Sequence, residues 1–291
     1  MKIVISLPAY NEESTIGNII KDIKEVMDSN KYSHQILVVD DGSTDKTAEI
    51  AKKEGAIVFS NHRNTGLAET FKREIKECLK LDADIIVHTD ADGQYPSDYI
   101  PQMIKKVEGG YDLVLGSRFG KGSYSGSLFK KIGNLVFARI FSGLLKIKIS
   151  DSTTGFRAFN REVAKLPIIN NFTYTQEQLI RVGKANMKIS EIPIKTNKTR
   201  ESRLFKNSFD YAIKAWINIF RIYRDFEPLK FFGFFGGLFL GLGLIIGIWI
   251  IYLWLLTGNV GALPRVILSM LLITTGIQIG LFGFLADMMK K

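Results

Sequence analysis

The chain has one cysteine in 291 residues, three histidines and seven prolines. A lone thiol, Cys78, forms no intramolecular disulfide and fits a reducing compartment. His34, His62 and His88 are scattered and show no zinc-ligand spacing. Acidic residues are in the minority, 29 against 39 Lys and Arg, which leaves a formal charge of +10. That surplus suits an anionic partner. No zinc-finger spacing, bZIP heptad or aromatic-rich RNA-binding signature accompanies it, so nucleic acid is set aside in favour of phosphate or anionic lipid. No Gly-x-Gly-x-x-Gly follows the first apolar run and no Gly-x-x-x-x-Gly-Lys-Ser/Thr occurs, which speaks against dinucleotide-binding and P-loop folds. A secretory signal is not expected, because Met1-Lys2 runs straight into Ile3-Val4-Ile5-Ser6-Leu7 without a longer apolar region or a cleavage site.

Long charge-free runs are absent from most of the chain and then appear twice near its end. Phe231 to Leu256 carries no charge over 26 residues, about 39 Å as a helix. Val266 to Ala286 gives a second such run of about 31 Å. Each matches or exceeds a hydrocarbon core of roughly 30 Å, and a breaker-rich loop from Thr257 to Arg265 separates them. A two-span anchor over 230–291 is expected, with spans at 231–256 and 266–286. Arg221, Arg224 and Lys230 precede the first span, Lys290 and Lys291 follow the second, and the loop holds only Arg265. The positive-inside bias predicts a cell-membrane protein with its N-terminal domain and C-terminus cytoplasmic. Gly233, Gly236, Gly237, Gly241, Gly243 and Gly247 permit close helix packing, against the second span or another subunit of a homo-oligomer.

Residues 1 to about 120 alternate between strand and helix patterns. Ile3–Leu7, Ile36–Val39, Ala56–Phe59, Ile85–Val87 and Leu113–Leu115 read as strands. Ile16 to Met27, the segment after Ser43 or Thr44, Leu67 to Leu79, and Pro96 to Val107 read as helices. Near-continuous apolar strands predict a buried, mainly parallel sheet with helices on both faces. Ligands in such sheets bind beyond the carboxyl ends of the strands. Three polar clusters sit there: Pro8-Ala9-Tyr10-Asn11-Glu12, Asp40-Asp41-Gly42-Ser43 and Asp90-Ala91-Asp92-Gly93-Gln94. In extended backbone, side chains at i and i+2 point the same way, so Asp90 and Asp92 can converge on one cation. All-oxygen ligands suit Mg²⁺ or Mn²⁺. A bare Asp-x-Asp is more often a solvated acidic loop; its company at the other strand exits favours a site.

The motifs Pro8-Ala9-Tyr10-Asn11-Glu12-Glu13, Asp40-Asp41-Gly42-Ser43-Thr44-Asp45, Asp90-Ala91-Asp92-Gly93-Gln94-Tyr95-Pro96 and Gly116-Ser117-Arg118-Phe119 resemble those of inverting family 2 glycosyltransferases with the GT-A fold. Within them the chain is most similar to polyisoprenyl-phosphate sugar synthases, such as the dolichyl-phosphate mannose and glucose synthases. The resemblance covers about 225 residues. It implies an α/β GT-A catalytic domain over 1–206; beyond it Phe209, Ala212, Ile213, Trp216, Ile219, Phe220 and Tyr223 recur at helical spacing, which predicts a juxtamembrane amphipathic helix over 207–229 feeding the two transmembrane helices. It implies nucleoside contacts from Pro8, Ala9, Tyr10, Glu12, Asp40, Asp41, Asp90 and Ala91. It also implies a divalent metal, Mg²⁺ or Mn²⁺, held by Asp90 and Asp92 with Gln94.

A metal neutralises the departing diphosphate of a nucleotide-sugar, and a lipid monophosphate acceptor is already ionised, so cationic positioning replaces a strong base. Arg118 leads the candidates, because its planar fork suits phosphate oxygens. Residues 127–148 form a candidate interfacial helix with Lys131 near the acceptor; a core helix with a basic edge fits the segment alone equally well. Asp151-Ser152-Thr153-Thr154-Gly155-Phe156-Arg157 resembles the acceptor-side motif. In it Asp151 orients a cation, acts as a base, or merely caps a turn, and Ser152 faces the phosphate. Glu177 matches an acidic family position suited to orienting cations or sugar hydroxyls. Gln178 to Val182 reads as helix surface. Arg200 and Arg203 match a mobile acceptor-side loop, although Arg203 stands where Lys is commoner. The implied reaction moves one sugar, from UDP-glucose or UDP-N-acetylglucosamine rather than GDP-mannose, to dolichyl or another polyisoprenyl phosphate, for use in glycosylation. The alternatives are a different lipid acceptor, or a non-catalytic membrane-tethered nucleotide-sugar binder.

Overall fold

The structure is a computed structural model and describes residues 1–119, 142–143, 149–169, 174–197, 217, 220–221, 224–261 and 263–289. Lys131, Arg200 and Arg203 lie outside these residues, as do nearly all of 127–148 and much of 207–229. The chain divides into two compact units, Met1–Leu204 and Phe205–Lys291.

Among the described residues of the first unit, strands and helices alternate as the apolar pattern predicts. Strands β1 (Ile3–Ala9), β2 (His34–Asp40), β3 (Ile57–Ser60), β4 (Ile85–His88) and β5 (Leu113–Ser117) are joined by helices α1 (Ile16–Ser29), α2 (Thr47–Lys53), α3 (Leu67–Lys80) and α4 (Ile100–Glu108). Strands β6 (Arg157–Asn160) and β7 (Ile189–Pro193) follow, with the short α5 (Arg161–Ala164) and α6 (Tyr174–Lys184) between them. The seven strands form one sheet in the order β3-β2-β1-β4-β6-β5-β7. All its pairings are parallel except those of β6, which runs antiparallel between β4 and β5.

The parallel strands carry the core. Every residue of β1 is buried, as a strand covered by helices on both faces requires. Ile16, Ile20, Ile23 and Met27 repeat at helical spacing on α1 and pack with Ile3, Ile5, Leu7 and the α4 residues Ile100, Met103 and Ile104. Each such side chain contributes about 1.5–3 kcal/mol by leaving water. On α3, Ala68, Phe71, Ile75 and Cys78 are buried in the same periodic way.

Three expectations need correction. Pro96 opens a 3₁₀ turn, Ser97–Tyr99, and α4 begins only at Ile100 with Pro101 in its first turn, where a missing N–H costs nothing. Strands β6 and β7 extend the sheet beyond the five read from the sequence. Helix α6 is not surface: Gln178, Leu179, Ile180 and Val182 are all buried.

The second unit holds α7 (Pro228–Thr257) and α8 (Leu263–Met288), both long and apolar enough to cross a membrane. Each outruns its charge-free run, because helix continues past the apolar segment into the flanking polar residues. The two helices pack on glycine: a Cβ on Gly276 would meet the Leu240 nitrogen at 2.6 Å and the Gly236 oxygen at 2.7 Å. Ser269 Oγ donates to the Gly243 carbonyl at 2.8 Å. Outward-facing Ile245, Leu255 and Phe282 stay exposed, as a lipid-facing surface would have them.

Candidate active site

The register puts three strand exits side by side. Ala9 pairs with Asp40 across β1 and β2, and Ser6 pairs with His88 across β1 and β4. Polar residues just beyond these ends then lock together. The Asp41 N–H donates to the Ala9 carbonyl at 2.8 Å. Asn11 donates its N–H to Ser43 Oγ at 2.9 Å and accepts the Thr44 N–H on Oδ1 at 2.8 Å. Thr15 Oγ1, at the start of α1, donates to the Ala91 carbonyl at 2.8 Å. The backbone of Glu12, itself buried, donates to Thr47 Oγ1 at 2.8 Å. Pro8 and Ala9 end β1, and Tyr10 stands exposed beyond them, an aromatic face open to a ligand.

Asp40 and Asp41 have different work. Asp40 Oδ1 accepts the Ser43 N–H at 3.0 Å and shapes the turn. Asp41 receives the Thr65 N–H and hydroxyl, Asn61 Nδ2 and the Gly66 N–H at 2.7–2.9 Å. Burial works to raise its pKa, and these donors outweigh burial and hold it below the ordinary aspartate range. Asp41 therefore fastens the loop that leads into α3.

Asp90 and Asp92 follow β4. Asp92 Oδ1 accepts the Gln94 N–H at 2.9 Å, a local turn that fixes the carboxylate. Asp90 has no side-chain hydrogen bond among the described residues. Burial, reinforced by Asp92 and Glu74 and opposed by His88 and Arg118, pushes its pKa up to about 6. Among the described residues no group of three His, Cys, Asp or Glu converges, so the protein offers a carboxylate pair rather than a closed cage. The Asn197 N–H donates to the Gln94 carbonyl at 2.9 Å, and Asn197 Nδ2 to that of Gly93 at 3.1 Å. The acidic turn is thereby tied to the chain leaving β7.

Facing the acids is a held cation. Asp151, fully buried, takes Arg118 Nε at 2.8 Å and Nη2 at 3.0 Å, and also the Arg118 N–H at 3.1 Å. Asp151 Oδ1 accepts from the Thr153 N–H and hydroxyl as well, and Arg118 Nη2 donates to Thr153 Oγ1 at 2.8 Å. Burial opposes the charge on Arg118, but Tyr95, Asp151 and Asp90 outweigh it and raise its pKa. Two forked bonds and a backbone bond give the guanidinium one orientation. Of the roles open to Asp151, these bonds perform two: they orient the Arg118 cation and cap the turn at Thr153. Ser152 is fully buried and its hydroxyl has no partner among the described residues.

A model described as "Glycosyl transferase family 2" matches residues 4–166, which include all three strand exits and Arg118. The chain belongs to glycosyltransferase family 2. It is 34% identical over 193 residues to a dolichyl-phosphate hexose transferase of Haloferax volcanii, covering 66% of this chain and 81% of that one. It is 31% identical over 224 residues to a UDP-N-acetylglucosamine--dolichyl-phosphate N-acetylglucosaminyltransferase of Methanococcus voltae, covering 69% of this chain and 87% of the relative. In fold it is similar to glucosyl-3-phosphoglycerate synthase from Mycobacterium tuberculosis, solved with Mn²⁺, UDP and glucosyl-3-phosphoglycerate. The TM-score is 0.60 at 22% identity, over 76% of this chain and 78% of that one. The sheet with its helices on both faces is thus a GT-A-like fold.

In this glycosyltransferase Glu177 is carried by α6 rather than by a strand exit. It is buried on α6, and its carboxylate accepts the Ile169 N–H at 3.1 Å and the Arg181 guanidinium at 2.7 and 2.8 Å. Beneath the rim is a polar layer that hydrophobic periodicity does not reveal. His88 Nδ1 lies 2.8 Å from Glu74 Oε2, both groups buried. Arg157, fully buried on β6, donates to the Thr175 and Thr154 carbonyls and to Gln178 Oε1. Burial pushes the Arg157 pKa down to about 10, still charged at neutral pH, and the residue braces the 151–155 loop from behind. Tyr95 stacks on Phe156 at 5.2 Å, and its hydroxyl is pushed up to about 12 by burial.

Proposed function

We propose that this glycosyltransferase moves one sugar from a nucleotide-sugar, a UDP-sugar by preference, to a polyisoprenyl phosphate such as dolichyl phosphate. What carries the reading is the juxtaposition of Asp90, a carboxylate without a donor, and Arg118, a guanidinium aimed by Asp151. A carboxylate pair of which Asp90 accepts no hydrogen bond among the described residues fits a divalent cation, Mg²⁺ or Mn²⁺, with Asp90, Asp92 and Gln94 as the residues to hold it. A divalent ion held by these residues would supply Lewis-acid neutralisation of the leaving diphosphate.

The chain's own residues do the rest. Tyr10, Pro8, Ala9 and Asp40 line the nucleoside end, while Asp41 keeps the 61–66 loop in place. Arg118 gathers the acceptor phosphate, which is already anionic and needs no proton removed. Lys131, Arg200 and Arg203 supply further positive charge from segments outside the described residues. Helices α7 and α8 anchor the enzyme where its lipid acceptor resides, with the catalytic domain on the cytoplasmic side by the distribution of basic residues. The names of the Haloferax and Methanococcus relatives support the acceptor class, and the UDP and Mn²⁺ of the mycobacterial structure support the donor and metal.

Membranes bearing the full chain, supplied with labelled UDP- and GDP-sugars, Mn²⁺ and dolichyl phosphate, test this reading. A glycolipid formed from a UDP-sugar is expected. No metal-dependent glycolipid from any donor contradicts it.

A further inference from the structure

Strand β7 carries a glutamate whose place in the pattern Ile189-Ser190-Glu191-Ile192-Pro193 suggests only a solvent-facing residue. Pairing of Leu115 with Glu191 and of Ser117 with Pro193 sets it beside the end of β5, just before Arg118. Its carboxylate accepts the Ser150 N–H at 2.9 and 3.0 Å, Ser150 Oγ at 2.7 Å and the Asp151 N–H at 3.1 Å. Among the described residues, the partners of this carboxylate are confined to those two. The nearby Lys106 ammonium donates instead to the Glu191 carbonyl and to Ser190 Oγ.

The bonds continue in one direction. Ser150 Oγ lies 2.6 Å from Ser117 Oγ, the residue next to Arg118. Asp151, whose backbone Glu191 grips, holds the guanidinium at 2.8 and 3.0 Å. A carboxylate can accept three donors at once with charge-assisted strength. A glutamine there keeps one oxygen for the Ser150 and Asp151 N–H groups but removes the charge that strengthens those bonds, and its amide N–H is left only the Ser150 hydroxyl to meet.

We propose that Glu191 is a positioning residue for the acceptor side. It fixes residues 150–151 so that Asp151 presents the Arg118 guanidinium to the phosphate of the lipid acceptor. The inference rests on the reading of Arg118 as the group that gathers that phosphate. Glu191 itself touches no substrate.

The test uses the full-length enzyme in detergent–lipid micelles with a UDP-sugar, Mn²⁺ and dolichyl phosphate, comparing Glu191→Gln, Arg118→Ala and the double variant. Glu191→Gln is expected to raise the KM for dolichyl phosphate about tenfold while the donor KM stays within about twofold. In the Arg118→Ala background it adds nothing further, because both act through one guanidinium. If donor and acceptor KM rise together, or the Glu191→Gln penalty persists undiminished without Arg118, the relay is wrong. Should Glu191→Gln not fold, Ser150→Ala removes one hydroxyl donor and must shift the acceptor KM in the same direction. If Arg118→Ala raises the acceptor KM while neither Glu191→Gln nor Ser150→Ala does, the relay alone fails. An acceptor KM indifferent to Arg118→Ala removes the Arg118 reading and the relay with it.

Discussion

A Cβ on Gly155 would stand 3.0 Å from Asp90 Oδ2 and 3.3 Å from Oδ1. A glycine lets the 151–155 loop, which carries the partner of Arg118, lie this close to the acidic strand exit without displacing the Asp90 carboxylate. The two halves of the site are therefore set against each other by an absent methyl group. Gly155→Ala forces the carboxylate to shift by a few tenths of an ångström. The expected outcome is about a tenfold loss of metal-dependent kcat/KM with little change in thermal midpoint, measured by glycolipid formation and by unfolding of the full chain in detergent.

Asp41 makes a prediction about stability rather than chemistry. Replacing it with Asn puts an amide donor among the donors of Thr65, Asn61 and Gly66 and is expected to cost about 2 kcal/mol. The folded-state pKa of Asp41 is depressed, so its stabilisation is present above the unfolded aspartate pKa of about 3.9 and is lost as pH falls through the lower folded value. Thermal melts of wild type and Asp41→Asn should differ most near neutral pH and converge toward pH 2–3.

Cys78 is buried on α3, and burial raises its thiol pKa well above the usual value, with Glu74 and Glu77 adding to the rise. A buried, protonated thiol is a poor nucleophile. The native protein is expected to resist maleimide labelling and to take up one equivalent after denaturation, as mass spectrometry would show. Rapid native labelling would place α3 differently.

In the helical hairpin, Gly276 and Gly237 have opposite surroundings. A Cβ on Gly276 runs into the backbone of Leu240 and Gly236, whereas one on Gly237 meets nothing within 4 Å. Gly276→Leu is expected to destabilise the α7–α8 pair by at least about 2 kcal/mol, and Gly237→Leu to be neutral in the monomer. Denaturant-induced unfolding in micelles distinguishes the two.

Legibility in the sequence followed chemistry. Strands β1, β2, β4 and β5 show themselves because Ile, Val and Leu fill buried positions, and the edge strand β3 because its short apolar run persists though only half-buried. The strand exits show themselves because carboxylates break those runs abruptly at Asp40 and Asp90. Strand β6 hides because its first residue, Arg157, is a buried cation whose terminal nitrogens are held by carbonyls and Gln178, which no apolar pattern announces. Helix α6 hides for the same reason: Thr175, Gln176, Glu177 and Gln178 are polar yet buried, Glu177 held by Ile169 and Arg181 and Gln178 by Arg157. Glu191 alternates like an exposed strand residue, and only the pairing of β7 with β5 brings it to Ser150. Asp41 follows the nucleoside motif in sequence, while its carboxylate is taken up by the loop from Asn61 to Gly66.

The most direct measurement is a metal titration of glycolipid formation by the full-length enzyme, comparing wild type with Asp92→Asn at saturating UDP-sugar and dolichyl phosphate. The account predicts activity that rises with Mn²⁺ or Mg²⁺, disappears with EDTA, and falls at least about a hundredfold in the variant. Full activity in EDTA, or an Asp92→Asn enzyme as active as wild type, would contradict it.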